Sequence, residues 1–559
     1  MTNAAQPTPI PAPEGFPVVW AQPGDEHRLW TRESMHAPGQ IRAMDASIAK
    51  RWIDGGMNAA FEHYSMPVRN RYFRVNTYLY QSIFPFTFDP AELQRLGHEA
   101  ERRVGEVLGR QLALWNEQWL PELLGIYADW IAVDHAALDD AGLAAHVRRV
   151  VDDSVHVWEI HFKIAFPMLM SMSLFDDFYR ETLAAEDRYE AVRLLQGIEN
   201  MSVKSDRALW QLSRRAVGSQ AVLDALSGDG PDAIRAALAG TADGRDLLAG
   251  LDEWLGEYGL RSTNFLEVSR ASLQEDPTSV LLALRDLVAN PEADPYQELS
   301  RLAAEREQLI AKARETLAVY PEPVRGQFEF LLAAAQEGAV LQEDHNFWLD
   351  GRVTALVRAV VVELGRRLEA RGLVDAAADV FHLEVEEAVA RLEAGTDLRA
   401  VVAARVAELE QYAKVPAPPI LGTLPPGPPP DDPVARAIDK MFGAPPRAPE
   451  APGTLHGNAG SPGVVRGVAR VIRSLDDAER LGRREILVAE TTAPPWTPLF
   501  ARVGGIVTDT GGILSHCAIV AREYAIPAVV GVGMGTVAIP DGALVEVDGD
   551  TGTVRLIQA

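Results

Sequence analysis

Two different hydrophobic patterns divide this chain. In residues 93–133, 143–178, 188–216 and 339–370, apolar side chains recur at helical spacing among abundant Ala, Leu, Glu and Arg. Glycine or proline separates these segments. Few stretches of residues 30–410 alternate with period two. The pattern therefore predicts a large, mainly α-helical domain over this region.

A second pattern begins near residue 454. Short β-rich runs bounded by Gly, Pro or Asp predict strands, and two segments between them predict helices. The predicted strands span residues 464–472, 485–489, 505–507, 528–530 and 544–547, and the predicted helices span 475–481 and 515–524. Together these elements predict a small, compact α/β domain after the helical one.

A proline-rich segment connects the two regions. Prolines are frequent in residues 415–433 and 444–453, and residues 434–442 between them predict a short helix. Because proline removes backbone donors and favours extended geometry, this segment is expected to be a semi-rigid tether. The predicted organisation is an N-terminal extension at 1–29, a helical domain at 30–414, a linker at 415–453 and an α/β domain at 454–559.

Composition narrows the function classes. The chain has 559 residues, of which 47% are hydrophobic and 24% charged, the balance of a soluble globular protein. Its formal net charge of −26 argues against a nucleic-acid or anionic-membrane surface. No apolar run has the length of a membrane span, and residues 1–23 do not have the pattern of a secretory signal. With Cys517 as the one cysteine, a cytoplasmic location is expected.

The most informative segment reads Gly-Gly-Ile-Leu-Ser-His-Cys-Ala-Ile-Val-Ala-Arg-Glu at residues 511–523. It places His516 in the first turn of a predicted helix, among free N–H groups at the positive end of the helix dipole. Gly511 and Gly512 allow close backbone approach, and Ser515 is expected to cap the helix or donate to phosphate. The pattern predicts that His516 carries a phosphoryl group and that these three residues bind the phosphate.

This segment resembles the phosphohistidine (swivelling) domain of phosphoenolpyruvate-utilising enzymes, which include phosphoenolpyruvate synthase, pyruvate phosphate dikinase and rifampin phosphotransferase. In that family the block Ser-His-x-Ala-Ile-x-Ala-Arg-Glu recurs, and it stands here at residues 515–523. Residues 460–467 and 486–498 match the family as well, so the resemblance covers 454–559. It implies a covalent phosphohistidine intermediate at His516 and a domain that swivels between two sites.

The resemblance also implies a source of phosphoryl groups, which this sequence does not display. Family members that use ATP carry an ATP-grasp domain with Gly-rich phosphate loops, basic residues and acidic Mg²⁺ ligands. We recognise no such segment before residue 410. ATP and Mg²⁺ are therefore expected to bind a separate ATP-grasp subunit, as in phenylphosphate synthase-like systems, and no metal site is expected in this chain. An ATP site too divergent to recognise, or a degenerate carrier, stays open as an alternative.

Looser matches upstream resemble the substrate-binding domain of rifampin phosphotransferase-like and phenylphosphate synthase-like proteins. They lie at residues 30–38, 74–80, 258–267, 371–373 and 379–383. These matches support the architecture more than a particular substrate.

One helical segment has the composition of an apolar pocket. Trp158, His161 and Phe162 fall at helical spacing on one face, and His156 lies five residues before His161. Pro167 is expected to kink or break this helix. We predict that Trp158, Phe162 and His156 contact a small hydrophobic acceptor. His161 is predicted to be catalytic, with an ordinary core histidine as the equal alternative.

Three further residues complete the predicted site. Arg261 is predicted to clamp the phosphoryl group, because a guanidinium binds phosphate bidentately. Glu267 is predicted to orient it or to act as a base, with a surface ion pair as the alternative. His345, beside Glu343 and Asp344, is a candidate general base for an acceptor hydroxyl.

The sequence thus predicts the acceptor-binding and carrier subunit of an ATP-dependent, dikinase-type phosphotransferase. The resemblance implies that the β-phosphate of ATP passes to His516, with release of AMP and inorganic phosphate, and then to the hydroxyl of a phenol or alkylphenol. Two alternatives stay open. One is an antibiotic-modifying transferase of the rifampin type, and the other is a non-catalytic phosphorelay protein.

Overall fold

The computed structural model describes residues 7–183, 187–228, 230–292, 294–427, 432–443, 453–493, 496–500 and 502–557. Parts of four sequence-based assignments lie outside the described residues: 1–6 of the predicted extension, 184–186, 229 and 293 of the predicted helical domain, 428–431 and 444–452 of the predicted linker, and 494–495, 501 and 558–559 of the C-terminal resemblance. Within the described residues a large helical region precedes a C-terminal α/β region, which confirms the predicted fold class. None of the helices described is long and apolar enough to cross a bilayer.

The region up to Tyr412 consists mainly of helices packed around one long helix, Asp140–Leu183. This helix packs against Glu322–His345 and Gly351–Ala370. Three π-helical turns interrupt the α-helical pattern, at Trp52–Met57, Trp115–Trp119 and Asn346–Asp350. The remaining α-helices of this region are Ala43–Arg51, Asn58–His63, Pro90–Leu108, Gln111–Leu114, Leu120–Ile131, Glu190–Arg193, Met201–Arg214, Gln220–Leu226, Pro231–Ala239, Ala242–Tyr258, Thr278–Ala289, Pro295–Leu317, Val385–Ala394 and Arg399–Tyr412.

The long helix corrects one expectation. Pro167 lies inside Asp140–Leu183 and does not end it. A proline inside a helix costs about 3 kcal/mol through the lost hydrogen bond and steric crowding. Burial of this helix face offsets that cost: Pro167 is buried, and a Cβ added at Gly338 of the facing helix would lie 2.7 Å from Ser171 Oγ. The close packing of the two helices keeps the segment continuous.

A small antiparallel sheet, which the helical pattern did not predict, closes one end of the helical region. Its strands, in spatial order, are Thr8–Pro9, Ile420–Leu424, Leu29–Arg32, Tyr78–Pro85 and Val68–Val75. The sequence pattern assigned residues 1–29 to an extension and 415–453 to a tether, but strands from both belong to this sheet. The segment after Leu424 contains a helix, Pro433–Phe442, which we call the linker helix.

The C-terminal region is an eight-stranded sheet with short helices. In spatial order its strands are Thr454–His456, Thr553–Leu556, Leu544–Asp548, Val464–Val471, Ile486–Ala489, Gly505–Thr508, Ala528–Val530 and Asn458–Ser461, of which the four from Val464–Val471 to Ala528–Val530 run parallel. Helical turns lie at Leu475–Arg480, Thr497–Phe500 and Gly535–Ala538. The helix His516–Glu523, here called the carrier helix, follows the strand Gly505–Thr508.

The α/β region is docked against the helical region. Tyr524 at the end of the carrier helix donates its hydroxyl to Asp206 Oδ2 at 2.7 Å. Gln342 Nε2 donates to the carbonyl of Leu514 at 3.0 Å. These contacts bring the start of the carrier helix against the helix Glu322–His345.

Candidate active site

His516 is the first residue of the carrier helix. Ser515 precedes it in extended conformation, and its hydroxyl accepts the N–H of Ala518 at 3.4 Å, so Ser515 is the N-cap that was predicted. The strand Gly505–Thr508 leads into this turn from the middle of the parallel strands. The local sequence therefore holds a nearly buried imidazole at a helix N-terminus.

The two ring nitrogens of His516 have different partners. Nδ1 lies 3.0 Å from Glu343 Oε1, which comes from the helical region. Nε2 lies 3.5 Å from Thr497 Oγ1, and the ring of Phe500 has its centroid 6.5 Å away. Because a carboxylate accepts hydrogen bonds, it holds the proton of neutral His516 on Nδ1 and leaves the lone pair on Nε2. Nε2 is therefore the nucleophilic atom.

Glu343 is a buried carboxylate on the helix Glu322–His345. Burial alone would raise its pKa, but the charge and hydrogen bond of His516, with a hydrogen bond from Ser202, outweigh burial and hold the pKa of Glu343 below its usual value. The Ser202 hydroxyl donates to Oε2 at 2.6 Å. At neutral pH the carboxylate is ionised and orients the imidazole across the boundary between the two regions.

The backbone before His516 is already occupied. Gly511 and Gly512 donate their N–H groups to the carbonyls of Phe442 and Met441 at 3.0 and 2.9 Å, and Leu514 donates to Lys440 at 2.8 Å. These carbonyls end the linker helix, where backbone acceptors lack helical partners. In this docked arrangement the N–H groups of Gly511 and Gly512 therefore do not bind phosphate as the sequence suggested; they bind the linker helix.

The linker helix is fixed to the helical region as well. Lys440 Nζ lies 2.8 Å from Asp176 Oδ2 and 2.6 Å from Asp177 Oδ1, and Arg436 Nε lies 3.0 Å from Asp177 Oδ2. The same helix thus contacts the long helix Asp140–Leu183 through side chains and the loop before His516 through its backbone. Undocking of the α/β region must break one of these two sets of contacts.

We expect Gly512→Ala to destabilise this arrangement. An added Cβ would lie 2.2 Å from the Lys440 carbonyl oxygen, a clash that only backbone movement can relieve. The expected loss in the free energy of unfolding is about 1–3 kcal/mol, measured by denaturant unfolding. Gly97→Ala is the control, because nothing lies within 4 Å of its added Cβ on an exposed helix, and it should stabilise by up to about 1 kcal/mol. Equal stability of Gly512→Ala and wild type would contradict the close packing.

A cavity of about 510 Å³ lies between the two regions beside His516. Thr497 and Phe500, which contact the His516 ring, line the cavity, and so does Ser202, which contacts Glu343. Much of the remaining lining is apolar and includes Leu209, Trp210, Leu287, Leu302, Val503 and Ile526. A molecule in this cavity therefore contacts Thr497 and Phe500, the two side chains next to the imidazole ring of His516.

Four acidic side chains line the same cavity, Asp206, Asp294, Glu298 and Glu523, and burial raises the pKa of two of them. Burial raises the pKa of Asp206 to about 6, against the hydrogen bond from Tyr524 and the charge of Arg261. Burial, with the charges of Glu343 and Asp206, raises the pKa of Glu523 to about 8. At neutral pH Asp206 is mostly ionised, whereas Glu523 mostly holds its proton.

Arg261, the predicted clamp, is a buried cation. Burial lowers its pKa to about 10, while the charges of Asp206 and Glu343 act to raise it. Its Nε donates to the Tyr258 carbonyl at 2.7 Å, and its guanidinium lies over the Phe347 ring at 4.7 Å. The charges of Asp206 and of Glu343, the carboxylate that contacts His516, thus act on this buried cation. Its role as a phosphoryl clamp stays a prediction.

His161 and His345 meet in the structure, but around a different carboxylate. His161 Nδ1 lies 2.6 Å from Asp350 Oδ1, and His345 Nε2 lies 3.8 Å from Asp350 Oδ2. The ring centroids of the two histidines are 5.0 Å apart. This histidine cluster (His161, His345 and Asp350) lies within the helical region, and the charge of Glu343, which contacts His516, acts on His345.

The other predicted acceptor contacts are distributed between core and surface. Trp158 stacks on Trp52 with ring centroids 5.4 Å apart, and Phe162 stacks near Phe166 at 5.7 Å, both within the helical core. His156, five residues before His161, points outward and is 43% exposed. It pairs with Glu122 and Glu159 at 2.8 and 3.0 Å, so the structure does not place it in an apolar pocket.

Glu267 binds neighbours other than Arg261. Its Oε1 accepts from Asn264 at 2.9 Å, and its Oε2 pairs with Arg270 at 3.1 Å. The ion-pair alternative describes Glu267 better than a role in orienting Arg261, because both carboxylate oxygens already have local partners.

Sequence reasoning missed most of the partners of His516. In the sequence, Glu343 stands out only as a neighbour of His345, and Thr497 only as part of the family match at 486–498. Asp206 carries no pattern that marks it. Glu343 and Asp206 lie on helices of the helical region, far from His516 along the chain. The acidic character of residues 343–344 before His345 was the one usable signal.

Two family models match parts of this chain. Residues 481–552 match the mobile domain of PEP-utilising enzymes, and residues 161–343 match the fourth domain of rifampicin phosphotransferase. Chondramide synthase cmdD of Chondromyces crocatus is 36% identical over 98% of this chain, which spans 14% of that protein.

Two further relatives match the chain in part. The rifampicin phosphotransferase of Bacillus subtilis is 26% identical over 54% of the chain and 34% of its own length. The prodigiosin synthesizing transferase PigC of Serratia marcescens is 33% identical over 54% of the chain and 32% of its own length. The chain thus spans well under half the length of each of these relatives.

Proposed function

We propose that this chain, which belongs to the phosphoenolpyruvate-utilising enzyme superfamily, is the acceptor-binding and phosphoryl-carrying part of an ATP-dependent phosphotransferase. The observation that supports this most is the position of His516. Its Nδ1 is held by Glu343, and its Nε2 lies beside Thr497 at the wall of a cavity between two regions. A nucleophilic imidazole next to a ligand-sized cavity suits transfer of a covalently held group.

The proposed reaction has two steps. In the first, an ATP-binding part supplied outside this chain transfers a phosphoryl group to Nε2 of His516. As the family resemblance implies, this is the β-phosphate: its bond to AMP breaks, a water molecule takes up the γ-phosphate, and AMP and inorganic phosphate leave. In the second, the acceptor oxygen attacks phosphorus, the P–N bond breaks and an O–P bond forms. The acceptor hydroxyl gives its proton to Asp206, and the electron pair of the broken O–H bond stays on the acceptor oxygen. ATP and Mg²⁺ belong to the first step.

Four side chains have separate roles in the second step. Glu343 fixes the imidazole, so that Nε2 presents the phosphoryl group to the cavity. Arg261 neutralises charge near the two carboxylates. Burial raises the pKa of Asp206 to about 6, so at neutral pH this carboxylate is mostly ionised and can act as the base. Thr497 contacts the nitrogen to which phosphorus is bound.

The cavity supports an apolar acceptor that carries a hydroxyl group. Its volume of about 510 Å³ falls in the range of about 300–1,000 Å³ typical of sites for drug-sized ligands. A simple phenol or alkylphenol, the acceptor expected from the sequence, would leave much of this space unfilled. We therefore favour a hydroxyl compound with several rings, with phenols as the second candidate. The names of the rifampicin and prodigiosin relatives agree with acceptors of that size.

The proposed carrier role is tested by measuring the transfer of labelled phosphorus. The chain is incubated with the small phosphoryl donor phosphoramidate carrying ³²P, freed of donor, and then exposed to phenols and to multi-ring hydroxyl compounds. We expect an acid-labile, base-stable adduct on His516 that passes to an acceptor. Adduct formation without transfer to any hydroxyl compound would favour the phosphorelay alternative. An adduct confined to other residues would overturn the carrier role.

Asp206→Asn is expected to slow acceptor phosphorylation about 10²–10⁴-fold, the usual contribution of a general base. The wild-type rate should fall as pH drops through about 6, because the base must be unprotonated and burial raises the pKa of Asp206 to that value. The variant should lose this pH dependence. Asp224→Asn, on an exposed helix where Asp224 binds Gln220, is the control. An unchanged pH profile in Asp206→Asn would assign the proton to another group.

A further inference from the structure

A π-helical turn brings two potential metal ligands together. His345 ends the helix Glu322–His345, and Asp350 ends the π turn Asn346–Asp350 that follows it. In a π turn hydrogen bonds run from i to i+5, so residues five apart share a face, whereas an α-helix pairs residues three or four apart. The turn therefore places His345 and Asp350 side by side, and such turns are frequent at functional sites.

The long helix adds the third side chain. His161 Nδ1 lies 2.6 Å from Asp350 Oδ1, and one ligand atom from each member of the histidine cluster lies within 4.8 Å of the others. His345 and Asp350 are 4% and 2% exposed, and His161 opens only slightly to solvent. Among the described residues this is where three potential ligand side chains of these types converge.

The tautomer of His345 suits a ligand. Its Nδ1 donates to the Leu341 carbonyl at 2.6 Å, so the lone pair lies on Nε2, which faces Asp350. A histidine whose second nitrogen donates to a backbone carbonyl is the usual arrangement of a metal-bound imidazole.

Buried polar atoms beside the cluster have no hydrogen-bond partner among the described residues. They are Trp158 Nε1, Tyr127 Oη and Arg352 Nε. The Trp158 ring centroid lies 4.8 Å from that of His161, and the charges of Asp350 and Arg352 act on the Tyr127 hydroxyl. Trp158 and Tyr127 are 2% and 1% exposed. Because unpaired buried donors are costly, they point to further oxygen ligands in this space.

We propose that His161, His345 and Asp350 bind one divalent transition-metal ion. Two imidazoles and one carboxylate suit Zn²⁺ and its neighbours in the first transition row, whereas Mg²⁺ and Ca²⁺ prefer oxygen ligands alone. Three protein ligands leave at least one coordination position open, as in catalytic rather than structural zinc sites. Water or an anionic oxygen occupies that position and accepts from the unpaired donors. This departs from the sequence-based expectation of no metal in this chain.

The proposal does not depend on phosphoryl transfer. The sequence predicts His161 as a catalytic residue and His345 as a candidate general base, yet their shared partner is Asp350 rather than His516. A metal ion would replace the short contact between His161 and Asp350 by two metal–ligand bonds, and it would neutralise the buried carboxylate. The cluster is then a second site of the helical region, distinct from the carrier site.

The test is metal binding by the tag-free chain after removal of metals with a chelator. Titration with Co²⁺, followed by its visible absorption, and competition with Zn²⁺ are expected to show one tight equivalent. His161→Ala and His345→Ala should each weaken Zn²⁺ binding more than the roughly 10–100-fold that loss of an outer partner costs. His156→Ala is the matched control, since His156 lies on the same helix and binds only carboxylates at the surface. Its affinity should equal that of wild type.

Two results would overturn the metal site. One is the absence of Co²⁺ and Zn²⁺ binding by wild-type protein at micromolar metal. The other is unchanged affinity in both His161→Ala and His345→Ala. Circular dichroism of each variant shows whether it is folded; if both alanine variants unfold, the isosteric Asp350→Asn takes their place. The wild-type titration needs no variant and decides the first result alone.

Discussion

Replacing His516 with alanine or asparagine is expected to abolish phosphorylation of the acceptor, with a rate loss of at least about 10⁴-fold. The imidazole supplies the atom to which phosphorus is bound, and no described side chain beside Thr497 replaces Nε2. Asparagine retains an N–H group near the position of Nδ1 and so preserves the contact with Glu343. Alanine leaves that buried carboxylate with Ser202 as its remaining side-chain hydrogen-bond partner.

The pair of variants separates chemistry from docking. Both should lose the acid-labile adduct and the transfer, measured as labelled acceptor phosphate. Only His516→Ala should also weaken docking of the α/β region, which is measured as faster proteolysis near the linker helix. His456→Ala, in the strand Thr454–His456 of the same region, is the control and should retain activity. Normal transfer by His516→Asn would end the carrier mechanism.

Local patterns in the sequence were enough to find the carrier helix. Ser515, His516 and the following apolar positions lie in one short segment, so cap, nucleophile and helix are visible together. The parallel strands of the α/β region were found for the same reason, since each is a short apolar run between turn residues. The predicted strand at 505–507 corresponds to Gly505–Thr508 in the structure.

Pairings between distant segments were not visible. Glu343 contacts His516 across 173 positions, and Gly511 contacts Phe442 through backbone atoms that no side-chain pattern reports. The N-terminal sheet was missed for a related reason. Its hairpin turns at Asn76 and Thr77, both with positive φ, instead of at the Asn-Gly or Asp-Gly pairs that mark such turns.

Glu343→Gln is expected to slow transfer to the acceptor about 10²–10⁴-fold while leaving the loading of His516 nearly unchanged. Glu343 belongs to the helical region, so it can orient the imidazole only when the α/β region is docked there. Glutamine keeps the size of the side chain but removes the charge that fixes the proton on Nδ1. Without that charge the Nδ1–H of the phosphorylated ring is held less firmly, so the phosphoryl group on Nε2 is aimed less well at the acceptor.

The two half-reactions show whether Glu343 orients the histidine or merely supports the fold. Loading is measured as acid-labile label after reaction with phosphoramidate, and transfer as its decay on addition of acceptor. Because pairing with His516 holds the pKa of Glu343 below its usual value, its carboxylate stays ionised at pH 6, so a loss of wild-type transfer near that pH belongs to Asp206. The control is Glu329→Gln, on the same helix as Glu343. This change removes a half-exposed ion pair between Glu329 and Arg314 and should alter neither half-reaction. Equal slowing of loading and transfer in Glu343→Gln would instead assign Glu343 to structural support. A residue that positions His516 only when the α/β region is docked should not affect loading of the undocked region.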